Sequence, residues 1–309
     1  MISLADIQAA RQRIAAMVLT TPVIEDPTGT GLLLKAEHLQ RTGSFKLRGA
    51  ANRVLKAVEE GARHVVTGSS GNHGQAVAYV AMKAGIKATV VVPEDAAAVK
   101  VAGIRSFGAT VEFCGLTSNE RLARAAEITR TEGAVFIPPY DDPYVMAGQG
   151  TAGLEIVEQA PGIAAVYVPI GGGGLISGVA TAIKELNPAI RVIGVEPALA
   201  SDTYQSRQRG EVVDIGASRT IADGLRTSHP GSLTFPVVER YVDEIHLVSE
   251  EEIRAACRYV LTTLKQAIEP SGAVSVAAAL RAGGRAVALV SGGNVDLEGL
   301  RGVPAWEAN

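Results

Sequence analysis

Short aliphatic runs without polar alternation are separated by segments of helix length through most of this chain, and nothing else in the sequence restricts its fold as much. Runs at 64–67, 88–92, 110–113 and 134–137 are interleaved with helical patterns at 71–84, 96–107 and 118–132. A strand that is apolar on both faces has to be covered on both faces. Parallel strands also need a crossover of about a dozen residues, which a helix supplies. The alternation resumes with strands at 164–170, 191–195, 245–248 and 286–290 and helices at 148–158, 175–185, 250–264 and 272–280. We therefore expect an α/β protein of two open, mostly parallel twisted sheets with helices on both faces. Between the two series lies Pro138-Pro139-Tyr140-Asp141-Asp142-Pro143, where prolines and acidic residues interrupt either period and mark a seam. The segment 205–236 is less regular and reads as an excursion around a sheet edge or over a site.

The chain has 309 residues, 47% of them hydrophobic, which is enough for roughly two domains. Its 29 Lys and Arg against 32 Asp and Glu, with no long run of either sign, offer no footprint for nucleic acid or for a membrane surface. Neither is expected as a partner. Cys114 and Cys257 are far apart and without metal-ligand spacing, which argues against a disulfide framework and fits reducing cytoplasm. The first seventeen residues carry scattered charges and read as an amphipathic helix opened by a Ser3/Asp6 capping box, not as a signal peptide.

Four stretches carry chemistry. Thr42-Gly43-Ser44-Phe45-Lys46 places one lysine after a turn signal, at the head of a helical run. A desolvated lysine amine is a nucleophile able to form a Schiff base with a carbonyl compound. Taken alone, Lys46 would read as a surface lysine with its stem packed over apolar neighbours. Gly171-Gly172-Gly173-Gly174 lies between the strand at 164–170 and a helix. There, converging backbone N–H groups and a helix amino terminus make a phosphate cradle, without the residues of a Walker loop or the spacing of a dinucleotide fingerprint. Ser69-Ser70-Gly71-Asn72-His73-Gly74, also between a strand and a helix, offers hydroxyls and N–H groups for a second anion such as a carboxylate. On its own it is an ordinary N-cap turn. Ser291-Gly292-Gly293-Asn294 ends the last aliphatic strand, where open α/β sheets line their ligand crevice.

As a set, Ser44-Phe45-Lys46-Leu47-Arg48-Gly49-Ala50, the block 69–75, the tetraglycine loop and Ser291-Gly292-Gly293-Asn294 resemble the fold-type II pyridoxal-phosphate enzymes. Within these, the closest likeness is to the serine/threonine dehydratase and serine racemase family. The resemblance implies a large cofactor-binding domain, residues 1–60 and 143–309, into which a small substrate-carboxylate-binding domain, residues 61–142, is inserted. It implies that Lys46 holds pyridoxal 5'-phosphate and moves the Cα proton of the substrate. Phe45 would pack on the ring face, Asn72 would meet the ring hydroxyl, Gly171, Gly172, Gly173 and Gly174 would hold the phosphate, and Ser291 would meet the ring nitrogen. Ser69, Ser70, Gly71, Asn72 and His73 would receive the substrate carboxylate. A hydroxyl at Ser70, on the cofactor face opposite Lys46, would admit racemisation. Read from spacing alone, Glu196, Ala200 and Asp202 form a solvated acidic turn; the resemblance makes them a site for Mg²⁺, or for Ca²⁺ or Mn²⁺.

The expected activity is L-threonine or L-serine dehydration to a 2-oxo acid and ammonia by β-elimination. The alternatives are serine racemisation, a bifunctional racemase and dehydratase, or dehydration of 3-hydroxyaspartate or a hydroxyectoine-pathway compound. A nucleotide-binding regulatory module that uses the glycine loop without chemistry is the reading from another class. The resemblance also suggests a homodimer. Because the chain ends soon after Ser291, an added regulatory domain and feedback by isoleucine are not expected.

Overall fold

The computed structural model describes residues 1–69, 71–96 and 98–295. In chain order its elements are α1 (Leu4–Ile14), β1 (Val23–Glu25), β2 (Leu32–Ala36), α2 (Lys46–Glu59), β3 (His64–Thr67), α3 (Asn72–Ala84), β4 (Lys87–Val92), α4 (Ala98–Ser106), β5 (Thr110–Phe113), α5 (Ser118–Glu132) and β6 (Val135–Phe136). They continue with α6 (Pro143–Gln159), β7 (Ala165–Pro169), α7 (Gly174–Leu186), β8 (Arg191–Pro197), α8 (Asp202–Arg209), α9 (Phe235–Tyr241), β9 (Glu244–Val248), α10 (Glu250–Thr262), α11 (Pro270–Ala282) and β10 (Ala286–Val290). Six strands form one sheet in the order β1-β2-β10-β7-β8-β9, and four form another in the order β5-β4-β3-β6. Every pairing is parallel except β1 with β2. The expected class and strand direction are therefore observed, with the four-stranded sheet drawn wholly from residues 64–136.

The aliphatic strands are explained by their two covered faces. Leu32 and Leu34 of β2 and Tyr167 of β7 point into one core with Ile253 and Val260 of α10 and Val274 of α11. Their neighbours Leu33, Val166 and Val168 point into the opposite core with Ile156 of α6 and Ile176, Val179 and Ile183 of α7. The smaller sheet repeats the arrangement: Val65 packs with α2 and α3, while Val66 and Val91 pack with Ala125 and Ile128 of α5. A one-residue slip would exchange the two sets of side chains, so the register is held from both sides.

Several boundaries differ from the expectation. The helix expected at 148–158 begins at Pro143, because Asp142 accepts hydrogen bonds from the Tyr144 and Val145 N–H groups and proline at the first helical position lacks only an N–H that would be unpaired anyway. The seam is thus also a helix start. The irregular stretch after 205 contains the end of α8 and the start of α9, short helices with too few turns to show a period. The Ser3/Asp6 capping box is present on α1.

Candidate active site

Parallel order brings the carboxyl ends of β7 and β10 to one side of the larger sheet, and the turns that follow them and β3 of the smaller sheet line a single cavity of about 330 Å³. The cavity is bordered by Phe45, Lys46, Ser69, Gly71, Asn72 and His73, and also by Gly171 to Gly174 and Ser291. Lys46 reaches it because Ser44 bridges to Gly292 and the Phe45 N–H donates to the Ser291 carbonyl at 3.0 Å, which ties the head of α2 to the end of β10. Four stretches spread over about 250 residues of chain thus meet at one cavity. Ser70 lies outside the described residues.

Lys46 is half-buried, its Nζ 5.2 Å from the centre of the Phe45 ring and donating to the Pro139 carbonyl at 2.8 Å. Burial lowers its pKa from 10.5 to about 8. By the ionisation equilibrium alone, about one-tenth of the amine would be neutral at pH 7, against about three parts in ten thousand for an ordinary lysine.

Opposite stands the tetraglycine loop. Gly173 has φ +89°, in the left-handed region that favours glycine, and a side chain on Gly172 would run into the Tyr140 ring. The Gly172 carbonyl accepts from Thr234 Oγ1 at 2.7 Å, away from the cavity, and α7 begins at Gly174. The loop is therefore compact, and it presents a helix amino terminus to the cavity.

His73 is buried, and its Nε2 donates to the Ile137 carbonyl at 3.0 Å, which fixes the neutral tautomer. Burial first, then the nearby Lys46 charge, hold its pKa down to about 3, so it is a packing residue and not a base at neutral pH. Ser291 is buried and its Oγ donates to the Ser271 carbonyl at 3.3 Å. Asn72 opens α3 and is hydrogen bonded on both ends of its amide: Nδ2 donates to Glu269 Oε1 at 2.7 Å, and Oδ1 accepts from Asn294 Nδ2 at 2.8 Å.

Glu269 was not singled out in the sequence. It borders the cavity, is 6% exposed, and burial followed by the Asp223 charge pushes it up to about 7. The available signal was its place immediately before Pro270 at the start of α11, an acidic residue where a cap is expected, although no side-chain cap forms. Lys100 and Asp223, also unforeseen, pair at 2.6 Å across the same cavity, from α4 to the loop before α9.

None of Glu196, Ala200 and Asp202 borders this cavity, although Asp202 accepts a hydrogen bond from its lining residue Thr227 at 3.3 Å. Glu196 accepts from the Thr203 and Tyr204 N–H groups at 3.0 and 2.8 Å, and so caps α8. Burial pushes Glu196 up to about 8, with Asp202 adding to the shift, and pushes Asp202 up to about 7. Among the described residues no three His, Cys, Asp or Glu side chains gather at one point, and no helix is long and apolar enough to cross a membrane.

Residues 15–292 match the family described as pyridoxal-phosphate dependent enzyme. The chain is 43% identical to an L-threonine ammonia-lyase of Geobacter sulfurreducens, over 94% of its own length and 75% of the relative's. It is 42% identical to a serine racemase of Dictyostelium discoideum, over 97% of both chains. The structure of maize serine racemase superposes with a TM-score of 0.93 at 39% identity, covering 97% of this chain and 96% of the other.

Proposed function

The chain belongs to the pyridoxal-phosphate dependent enzymes, and from that premise we propose that it is an ammonia-lyase converting L-threonine or L-serine to a 2-oxo acid and ammonia. The observation that carries the reading is the partly desolvated Lys46 amine at the wall of a cavity also bordered by the tetraglycine loop, Asn72 and Ser291. These residues fit the cofactor: an amine of lowered pKa for its aldehyde, a glycine turn at a helix amino terminus for its phosphate, an amide for the ring hydroxyl and a neutral hydroxyl for the ring nitrogen.

When bound, the pyridoxal ring accepts the electron pair released at the substrate Cα. The protein supplies the rest. Lys46 in its neutral form takes the Cα proton. N–H groups of the 69–73 turn hold the substrate carboxylate, which fixes the Cα–H bond toward the lysine. Ser291, a hydroxyl and not a carboxylate, would face the ring nitrogen without a negative charge to hold a proton there, which would favour prompt loss of the substrate β-hydroxyl. That hydroxyl departs as water with one proton, and hydrolysis of the released enamine returns one water and frees ammonia. A second activity, serine racemisation, is supported by the identity to the Dictyostelium racemase.

The same reading extends to residues 61–142 as an inserted small domain, to a homodimer and to a cytoplasmic setting. Glu196 and Asp202, with the Ala200 carbonyl, would hold a divalent cation of the Mg²⁺ type, because two buried carboxylates with raised pKa values call for compensating positive charge. The cation's role would be structural or activating, and added Mg²⁺ is expected to raise the melting temperature. The deciding experiment measures 2-oxo acid release and D-isomer formation over a panel of β-hydroxy amino acids. Release from L-threonine or L-serine supports the lyase, D-serine formation adds the racemase, and no turnover of any member overturns both.

A further inference from the structure

Glu269 is a costly choice for its place. Its carboxyl is buried, and among the described residues no cation lies within ion-pair distance of it. The carbonyl of a glutamine could accept the same Asn72 N–H without the desolvation of a charge. Room for the carboxylate is made by Gly292, where a side chain would collide with Glu269 Oε1. The carboxylate differs from an amide in being the stronger acceptor, and a stronger acceptor polarises the donor it holds.

The partners of Asn72 form a directed chain. The Thr42 carbonyl can only accept, so Asn294 Nδ2, at 2.8 Å from it, is fixed as the donor. The same Nδ2 donates to Asn72 Oδ1, and Asn72 must then present Nδ2 to Glu269. One Asn72 N–H is left for a ligand in the cavity. The chain also crosses the molecule: Asn72 begins a helix of the smaller sheet, whereas Glu269, Asn294 and Thr42 belong to segments around the larger one.

We propose that Glu269 is a positioning residue that orients and polarises the Asn72 amide, and so sets the hydrogen bond Asn72 offers to the ring hydroxyl of the bound cofactor. This rests on the reading of the cavity as a pyridoxal-phosphate site. Ionised, Glu269 strengthens that donor; replaced by a neutral group, it leaves Asn72 a weaker and less oriented one.

The test is a double-mutant cycle on the full chain, reading cofactor affinity and the visible absorption band of the loaded protein. Glu269→Gln is expected to shift the band and to raise the Kd for pyridoxal phosphate about tenfold, the loss of a charge-assisted hydrogen bond. Added to Asn72→Ala it is expected to change neither further, because its effect passes through that amide. Glu269→Met, apolar and of similar length, is run alongside so that the cycle can be closed if the glutamine variant does not fold. An unchanged band with affinity within about twofold of wild type, or effects that add in the double variant, would overturn the proposal. A wild-type protein with no visible band would instead overturn the reading beneath it, and this inference with it.

Discussion

Lys46 and Arg48 stand two residues apart at the head of one helix, and they meet opposite electrostatic fates. Arg48 is wholly buried on the side away from the cavity, and all five of its N–H groups are used. Nε and Nη2 donate to the Glu37 carboxylate at 2.8 Å each, Nη1 and Nη2 to Glu155 at 2.7 and 2.8 Å, and Nη1 also to Thr151 at 3.0 Å. Lys35 of β2 completes the group by donating to Glu155 at 2.5 Å and to the Thr21 carbonyl at 2.7 Å. Burial alone would push Glu37 up, but the Arg48 charge overrides it and holds the carboxylate below its usual range. Two cations face two anions, and although burial still lowers the Lys35 amine, the cluster clamps α2 to β2 and α6. Lys46, also withdrawn from water, has no carboxylate partner among the described residues and drifts toward neutrality. The contrast recurs among acids, where burial raises Glu269, Glu196 and Asp202 and the positive charge of Lys100 near Glu269 and of His229 near Asp202 offsets only part of it. Buried charge that is matched builds structure; buried charge that is unmatched becomes available for chemistry or for a ligand.

The comparison breaks most sharply at Lys46. Lys46→Ala is expected to lower 2-oxo acid release by about 10²–10⁴-fold, the range for losing a positioned acid–base group, while the melting temperature holds or rises. Arg48→Met should do the reverse, costing about 3–5 kcal/mol in urea unfolding because two carboxylates lose their partner in the interior. Neutralising Glu37 and Glu155 in the same chain should recover part of that loss.

A smaller effect sharpens the comparison through pH. With a folded pKa of about 8 against 10.5, Lys46 of the cofactor-free protein binds fewer protons than the unfolded chain between those values. Its contribution to stability therefore increases as pH rises through that window and is flat below about 8. Pyridoxal-phosphate capture, followed by stopped-flow absorbance, should speed up about tenfold per pH unit below the lysine pKa and level off above it. The smallest effect lies at the surface. Arg11 pairs with Glu158 through a two-pronged contact of half-exposed side chains, and Arg11→Ala should change unfolding free energy by less than about 1 kcal/mol.

Much of this was legible along the chain. Lys46, the tetraglycine loop and the turns at 69–74 and 291–294 could be picked out because each depends on near neighbours: a turn, a strand end and a helix start announce themselves within about ten residues. The start of α6 is not legible in the same way, because Pro143 reads as a break in either period whereas Asp142 makes it a helix opening. Lys35 gave no signal, sitting in an aliphatic run whose one charged residue carries no mark of a partner 120 residues away. Glu269 was missed for the same reason, since its importance lies in where its carboxyl points.

What the order of amino acids settled is the class of fold and the kind of chemistry, because strand patterning and glycine turns are short-range properties. Which charges pair, which stand alone and which amide ends face a ligand came only with the packing of the two sheets. Protonation and hydrogen-bond direction depend on distances across space, and residues 100 or more positions apart supply them.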